Sequence, residues 1–246
     1  MFIAMKIAYD GSCFNGFAKN YDGDKSVSSH LTSAFARLGI TNNFVAAGRT
    51  DKFVHATGQV ISMQVPDFWE LSDLAHKLNK KLNPSVQIRR IWEVKPSFHA
   101  RFSAKIRKYR YLIAQDTLLP FFRPYICELN INDIEALKEA LAIFKGMHDF
   151  EYFAKSAKRG DFKNTKRKIY DISCYKKRFL KQEIIVINIS ANAFLYAQIR
   201  MMLGGVFAYL QNKLTLDDLR AQLALQKRNI FTPASPNGLY LCNVIY

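Results

Sequence analysis

Gly48-Arg49-Thr50-Asp51-Lys52 sets an acid between two cations, just after a glycine that tolerates positive φ. Asp51 so placed, in a very basic chain, is a candidate for chemistry on an anionic partner. In isolation a Gly-x-x-Asp reads as a turn whose Thr50 or Asp51 caps local backbone donors. Three other segments change that weighing.

Arg107, Tyr109 and Tyr111 alternate with Lys108 and Arg110, so a strand from Lys105 puts the first three on one face and the other two on the opposite one. Arginines interleaved with tyrosines suit RNA, because cations meet phosphates and rings stack on an extruded base. A half-buried strand with a solvated basic face fits the spacing equally well. Further on, Arg200 is the only charge in a strongly apolar helical stretch. A buried guanidinium without a partner is costly, so Arg200 should meet a carboxylate or face a cleft; snorkelling to the surface is the alternative. Ala197 and Gly204 lie on roughly its face and would let another backbone approach. Between Lys155 and Lys181 there are eleven basic residues and only Asp161 and Asp171 as acids. Such a run is usually a solvated loop and edge strand. Here we expect a mobile loop in which Lys166, Arg167 and Lys168, among others, touch RNA phosphates without reading sequence.

Composition narrows the partner. The chain has 246 residues, 49% of them hydrophobic, which is enough for one large domain or two smaller ones. Thirty-six Lys+Arg against twenty Asp+Glu give a formal charge of +16 and a pI near 9.7. A protein this basic is most often a polyanion binder, and nucleic acid is the commonest polyanion. The four cysteines, Cys13, Cys127, Cys174 and Cys242, form no Cys-x-x-Cys pair, so no disulfide framework or zinc ribbon is signalled. The five histidines lack metal-ligand spacing; His148-Asp149 hints at a metal phosphohydrolase but has no companions. No metal and no cofactor is expected. No apolar run reaches the length of a membrane span, and the N-terminus has no signal-peptide pattern, so a cytoplasmic protein with no membrane partner is expected.

The elements that must position these residues follow from periodicity. Residues 2–10 alternate as a strand. Ser26 caps a helix with Val27, Leu31, Phe35 and Leu38 on one face, stopped by Gly39. A strand into Ala47 delivers the Asp51 loop, and Gly58 to Val65 returns as a strand. Leu71, Leu74, Leu78 and Leu82 mark a second helix, ended by Asn83-Pro84, and residues 86–94 a further strand. This β-α-β-β-α-β order matches a ferredoxin-like unit. The second half offers a strand at 105–114, a helix from Ile134 to Phe144, strands near 167–177 and 182–190, helices at about 194–211 and 216–225, and a strand ending at Tyr246. The expected fold is α+β: two ferredoxin-like lobes, 1–104 and 105–246, sharing a mostly antiparallel central sheet, with the RNA cleft between them. Composition and spacing alone stop at a basic RNA-binding α+β protein.

Several motifs in order carry the reading further. Gly48-Arg49-Thr50-Asp51 followed by Val54-His55-Ala56 resembles the active-site motif of the tRNA pseudouridine synthase A family. So do Arg107-Lys108-Tyr109-Arg110-Tyr111 and the stretch around Phe194 to Gly204, with smaller matches at Gly146–Phe150, Thr165–Ile169 and Gly238–Tyr246. The resemblance implies that Asp51 is the catalytic carboxylate, that Arg200 pairs with it, that Arg49 helps extrude the nucleotide, and that Tyr109 packs on the target base, with Arg110 beside it on the RNA-binding strand. It implies isomerisation of uridine to pseudouridine in the tRNA anticodon stem-loop, at positions 38 to 40 in the family, by a homodimer. Asp51 would attack sugar or base, or assist a stepwise elimination. The other function class is a non-catalytic RNA-binding protein of the same fold that remodels tRNA. Two positions depart from the family: Phe53 stands where glycine is usual, and Ala18 where glutamine is usual.

Overall fold

The computed structural model describes residues 1–19, 23–155, 164–180 and 182–246. Its contacts divide the chain into a first unit, Met1–Arg107 with Leu239–Tyr246, and a second, Lys108–Gly238.

In the first unit, β1 (Phe2–Tyr9) buries the alternating Ile3, Met5, Ile7 and Tyr9. Helix α1 (Val27–Ala36) starts where the Ser26 side chain accepts the Ser29 amide, and it buries Val27, Leu31, Ala34 and Phe35. The short β2 (Val45–Ala46) and the longer β3 (His55–Gln64) flank the Asp51 loop. Helix α2 (Leu71–Leu82) buries Leu74, Leu78 and Leu82, and stops because Asn83 is extended ahead of Pro84. Strand β4 (Val86–Glu93) follows. Antiparallel pairing sets β1 between β3 and β4, with β2 on the far side of β3. That is the split βαβ arrangement predicted from the sequence.

The chain returns to this unit at its end. The sequence places 239–246 with the second lobe, whereas β10 (Leu239–Ile245) pairs in parallel with β3, Tyr240 opposite His55 and Leu241 opposite Ala56. Periodicity identifies a strand but not its partner, because pairing between distant segments is a tertiary choice.

In the second unit, β5 (Ile106–Ala114) begins two residues before the unit boundary, and β6 (Cys127–Glu128) pairs parallel to it. Helix α3 (Ile134–Ala142) is capped by Asp133, which accepts the Glu135 and Ala136 amides. Strands β7 (Gly146–Asp149), β8 (Lys166–Phe179) and β9 (Gln182–Ala191) follow, and the sheet order is β5-β9-β8-β7. Pairing is antiparallel between β7 and β8 and between β8 and β9. The sequence reading has no strand between the helix ending at Phe144 and residue 167, yet Gly146 opens β7. Helix α4 (Gln198–Leu210) begins four residues later than expected. Ala197 is left-handed, at φ +57°, and the Gln198 side chain accepts the Leu195 amide at 2.8 Å, so the chain turns at residues 196–197 before the helix begins. Helix α5 (Leu216–Leu223) carries a Thr215/Asp218 capping box. Among the described residues no helix is long and apolar enough to cross a membrane.

Gly204 in α4 serves the close approach anticipated for it. A Cβ there would lie 2.3 Å from the Thr232 carbonyl oxygen and 3.0 Å from Pro233 Cα. Gly204→Ala should therefore destabilise the protein by about 1–3 kcal/mol through overpacking. Urea denaturation measures this; an unchanged midpoint would show that residues 232–234 move away without cost.

Candidate active site

The Asp51 loop is held by its carbonyls. The Ala47 oxygen accepts from the Arg107 guanidinium, Nη2 at 3.0 Å and Nε at 3.2 Å. The Gly48 oxygen accepts from Gln59 Nε2 at 2.8 Å, the Thr50 oxygen from the Phe17 amide at 3.0 Å, and the Asp51 oxygen from the Val54 amide at 3.2 Å. The Ala47 amide in turn donates to Val60 in β3 at 2.8 Å. Buried backbone groups must find partners, and these side chains supply what a sheet ladder would otherwise provide. Thr50 is buried and shares a hydrogen bond of 2.8 Å with the Tyr9 hydroxyl. Asp51 is half-buried, while Arg49 and Lys52 on either side are exposed.

Residues 10–17 support the loop from below. Gly16, at φ +107°, lies where a Cβ would be 3.1 Å from the Thr50 oxygen and 3.3 Å from the Lys52 nitrogen. The Gly11 amide donates to Nδ1 of the buried His55 at 2.9 Å, and the His55 ring stacks on Tyr240 at 4.8 Å. Phe53, at φ +66°, sits in the left-handed region, which gives a physical reason for the glycine usual at that position. Its ring is 41% exposed beneath Lys52 Nζ, 4.9 Å away.

The other sequence-predicted residues belong to the second unit. Tyr109 is half-buried on β5, edge-on to Phe194 at 5.2 Å. Arg110 is exposed, with Nε donating to Asn188 Oδ1 at 3.0 Å. Lys166 and Lys168 are exposed on β8, and Lys168 lies over the Tyr170 ring. Arg167 turns back on the chain, its Nη1 donating to the Asn164 and Lys166 carbonyls. The Lys158, Arg159, Lys163 and Lys181 members of the basic run, with Gly160 and Asp161, lie outside the described residues. Arg200 is half-buried on α4. Its Nε donates to the Ala234 oxygen at 2.9 Å, and the Ala234 amide donates back to the Arg200 oxygen at 2.8 Å. Asp51 and Arg49 thus lie in the first unit, and Tyr109, Arg110 and Arg200 in the second.

One expectation needs correction. Arg107 and Tyr111 were to share an RNA-facing side with Tyr109. Tyr111 is instead fully buried, its hydroxyl donating to the Ser235 oxygen at 2.8 Å, and Arg107 is engaged with backbone carbonyls. Alternation states which side chains share a face but not whether that face is covered. Burial, with the neighbouring Cys127, pushes the Tyr111 hydroxyl well above the usual tyrosine range, and the Arg200 charge offsets this only in part. Sequence reasoning also missed Gln59, Tyr9 and Gly16 as supports. A buried glutamine inside an apolar strand was the available signal for the first.

Phe53→Gly should stabilise the fold by a few tenths to about 1 kcal/mol, because a left-handed non-glycine residue costs about 1–2 kcal/mol and glycine's added chain entropy returns only part of that. Thermal denaturation measures it; a lower melting temperature would mean that the Phe53 ring contacts outweigh the backbone cost. For Tyr111 the sign runs as for any neutral buried group whose folded pKa is raised. Its contribution is complete below the unfolded value of about 10 and is lost as pH rises through the folded value. Parent stability should thus fall above about pH 10, and Tyr111→Phe should flatten part of that fall while costing about 1 kcal/mol at neutral pH for the lost hydrogen bond. Identical alkaline limbs in parent and variant would refute it.

The chain as a whole is similar to proteins of one family. A family model described as tRNA pseudouridine synthase matches residues 140–246. The tRNA pseudouridine synthase A of Helicobacter hepaticus is 41% identical over 247 residues, covering 98% of this chain and 97% of that protein. The protein of the same name from Helicobacter pylori is 39% identical over 240 residues, with the same coverage. Identity at this level, along nearly the whole length of both chains, shows that the protein belongs to the tRNA pseudouridine synthase A family.

Proposed function

We propose that this protein isomerises uridine to pseudouridine in tRNA, with Asp51 as the reacting carboxylate. The observation that carries the assignment is the Asp51 loop itself. Its carbonyls are tied by Arg107, Gln59, Phe17 and Val54, and its acid is left half-exposed between exposed Arg49 and Lys52. A backbone fixed in this way holds a nucleophile or base in one geometry, which is what a positioned reaction requires.

The reaction is an isomerisation, so atoms balance without oxidant or cofactor. The glycosidic bond from N1 of uracil to C1′ breaks, the freed uracil turns, and C5 bonds to C1′. C5 gives up its proton, and N1 ends protonated. A base inside a stem cannot turn, so it must first leave the stack. In this reading Asp51 attacks sugar or base, or assists elimination. Arg200 pairs with Asp51, its guanidinium already oriented by the Ala234 carbonyl. Tyr109 packs on the uracil, and Arg49 helps to hold the nucleotide out. Arg110, Lys166 and Lys168 meet phosphates, while Arg167 shapes the start of β8 that carries the two lysines. The family resemblance extends the proposal to the anticodon stem-loop, positions 38 to 40, and to a cytoplasmic homodimer.

The test is mass spectrometry of tRNA after pseudouridine-specific derivatisation, beside a tRNA-binding measurement. Asp51→Ala should bind tRNA and form no product. Arg200→Lys keeps charge but loses the planar fork, so turnover should fall more than affinity, and Arg200→Met should fall further. Product formation by Asp51→Ala within a few-fold of the parent would sink the assignment.

A further inference from the structure

Beside the Asp51 loop, the first unit carries an aromatic feature that this mechanism does not use. Phe102 is 75% exposed, on the turn that leads into β5. Its ring stacks on His99 with centroids 4.3 Å apart and planes at 26°, and the Arg101 guanidinium lies 5.5 Å from the ring centroid. The turn beneath is rigidly tied. His99 Nδ1 accepts the amides of both Arg101 and Phe102 at 3.2 Å, and the His99 amide donates to Ser103 Oγ at 3.1 Å. Ala100, fully buried, donates its amide to Ser62 Oγ at 3.1 Å and accepts the Tyr246 hydroxyl at 2.9 Å.

One side chain joins this turn to the Asp51 loop. Arg107 Nη2 donates to the Ala47 oxygen, one residue before Gly48, and also to the Arg101 oxygen at 2.6 Å, while Nη1 reaches the Ala104 oxygen at 3.2 Å. The planar fork of a guanidinium can satisfy carbonyls from two segments at once, and a lysine cannot. A shift of the 99–102 turn is thereby coupled to the backbone entering the Asp51 loop.

We infer that the His99–Phe102 turn is an RNA contact in its own right, a stacking site for an unpaired base, fixed to the Asp51 loop through Arg107. The chemistry fits a nucleobase. A flat apolar ring held open to solvent on an ordered turn accepts a π face, and Arg101 beside it meets the attached phosphate. The net charge of +16 favours RNA over an apolar protein partner. The stacking contact rests on RNA being the substrate and not on Asp51 being the reacting group, whereas the tether rests on both.

Binding of unmodified tRNA to the full-length protein tests it. Phe102→Leu keeps an apolar side chain but removes the ring, and should weaken binding about five- to a hundredfold, the range for losing one base–aromatic stack. The slope of log affinity against log salt should not change, because no phosphate contact is lost. Phe102→Trp should bind as the parent does. Thermal unfolding should be the same for all three, since the ring packs little of its surface. Parental affinity in Phe102→Leu overturns the assignment, and so does an equal loss in Phe102→Trp. For the tether, Arg107→Lys should lower kcat while tRNA affinity holds; an unchanged kcat overturns it. A parent whose tRNA binding depends on Phe102, yet which forms no pseudouridine, would leave this contact standing and remove the catalytic reading instead.

Discussion

The need of buried carbonyls for donors organises the first unit of this protein. The chain must leave a regular sheet between β2 and β3 to present Asp51, and each residue that leaves gives up a ladder partner. Arg107, Gln59, the Phe17 amide and the Val54 amide replace those partners around residues 47–51. Because the donors come from β3, from β5 and from the segment after β1, the loop is referenced to the sheet at several points. The result is a backbone with little freedom that carries a side chain with access to solvent. A side chain positioned to react needs that combination.

The same logic recurs in the second unit around Arg200. Its helix is apolar, so a guanidinium there must be paired within reach. The Ala234 carbonyl takes Nε, and Gly204 on the next turn lets residues 232–234 come close enough to do so. Tyr111, fully buried beneath, holds the neighbouring Ser235 carbonyl. Three residues that look unrelated in the chain thus fix the direction of one cation. Phe53 shows the opposite case. The Asp51 loop keeps a left-handed turn although the residue there is not glycine, so the surrounding hydrogen bonds are strong enough to impose the conformation.

Much of this architecture is legible in the amino-acid sequence. Periodic leucines and the caps at Ser26 and Pro84 mark α1 and α2 because burial and hydrogen-bond supply act over one or two turns. The motif around Asp51 and the lone charge at Arg200 mark candidate chemistry for a similar reason: an acid between cations, or a cation among apolar residues, is unusual wherever it lies. What stayed hidden are side-chain contacts that no periodicity encodes, whether their partners lie 3 or 60 residues away. Gln59 reads as an odd polar residue in a strand, and only the fold brings it to the Gly48 carbonyl. Arg107 reads as a cation for RNA, and only the fold turns it onto three carbonyls.

By itself, then, the sequence determined the types of the longer elements, the β-α-β-β-α-β order of the first unit, the basic character and the identity of the candidate reactive groups, all of which rest on local periodicity and on residue chemistry. The tertiary structure decided which cations face solvent and which serve the backbone, that Tyr111 is buried while Tyr109 is only half so, and that the last strand returns to pair with β3 in the first unit. Those outcomes depend on which carbonyls are left without partners once the strands have paired, and strand pairing is settled by packing across the whole domain rather than by any one stretch of chain.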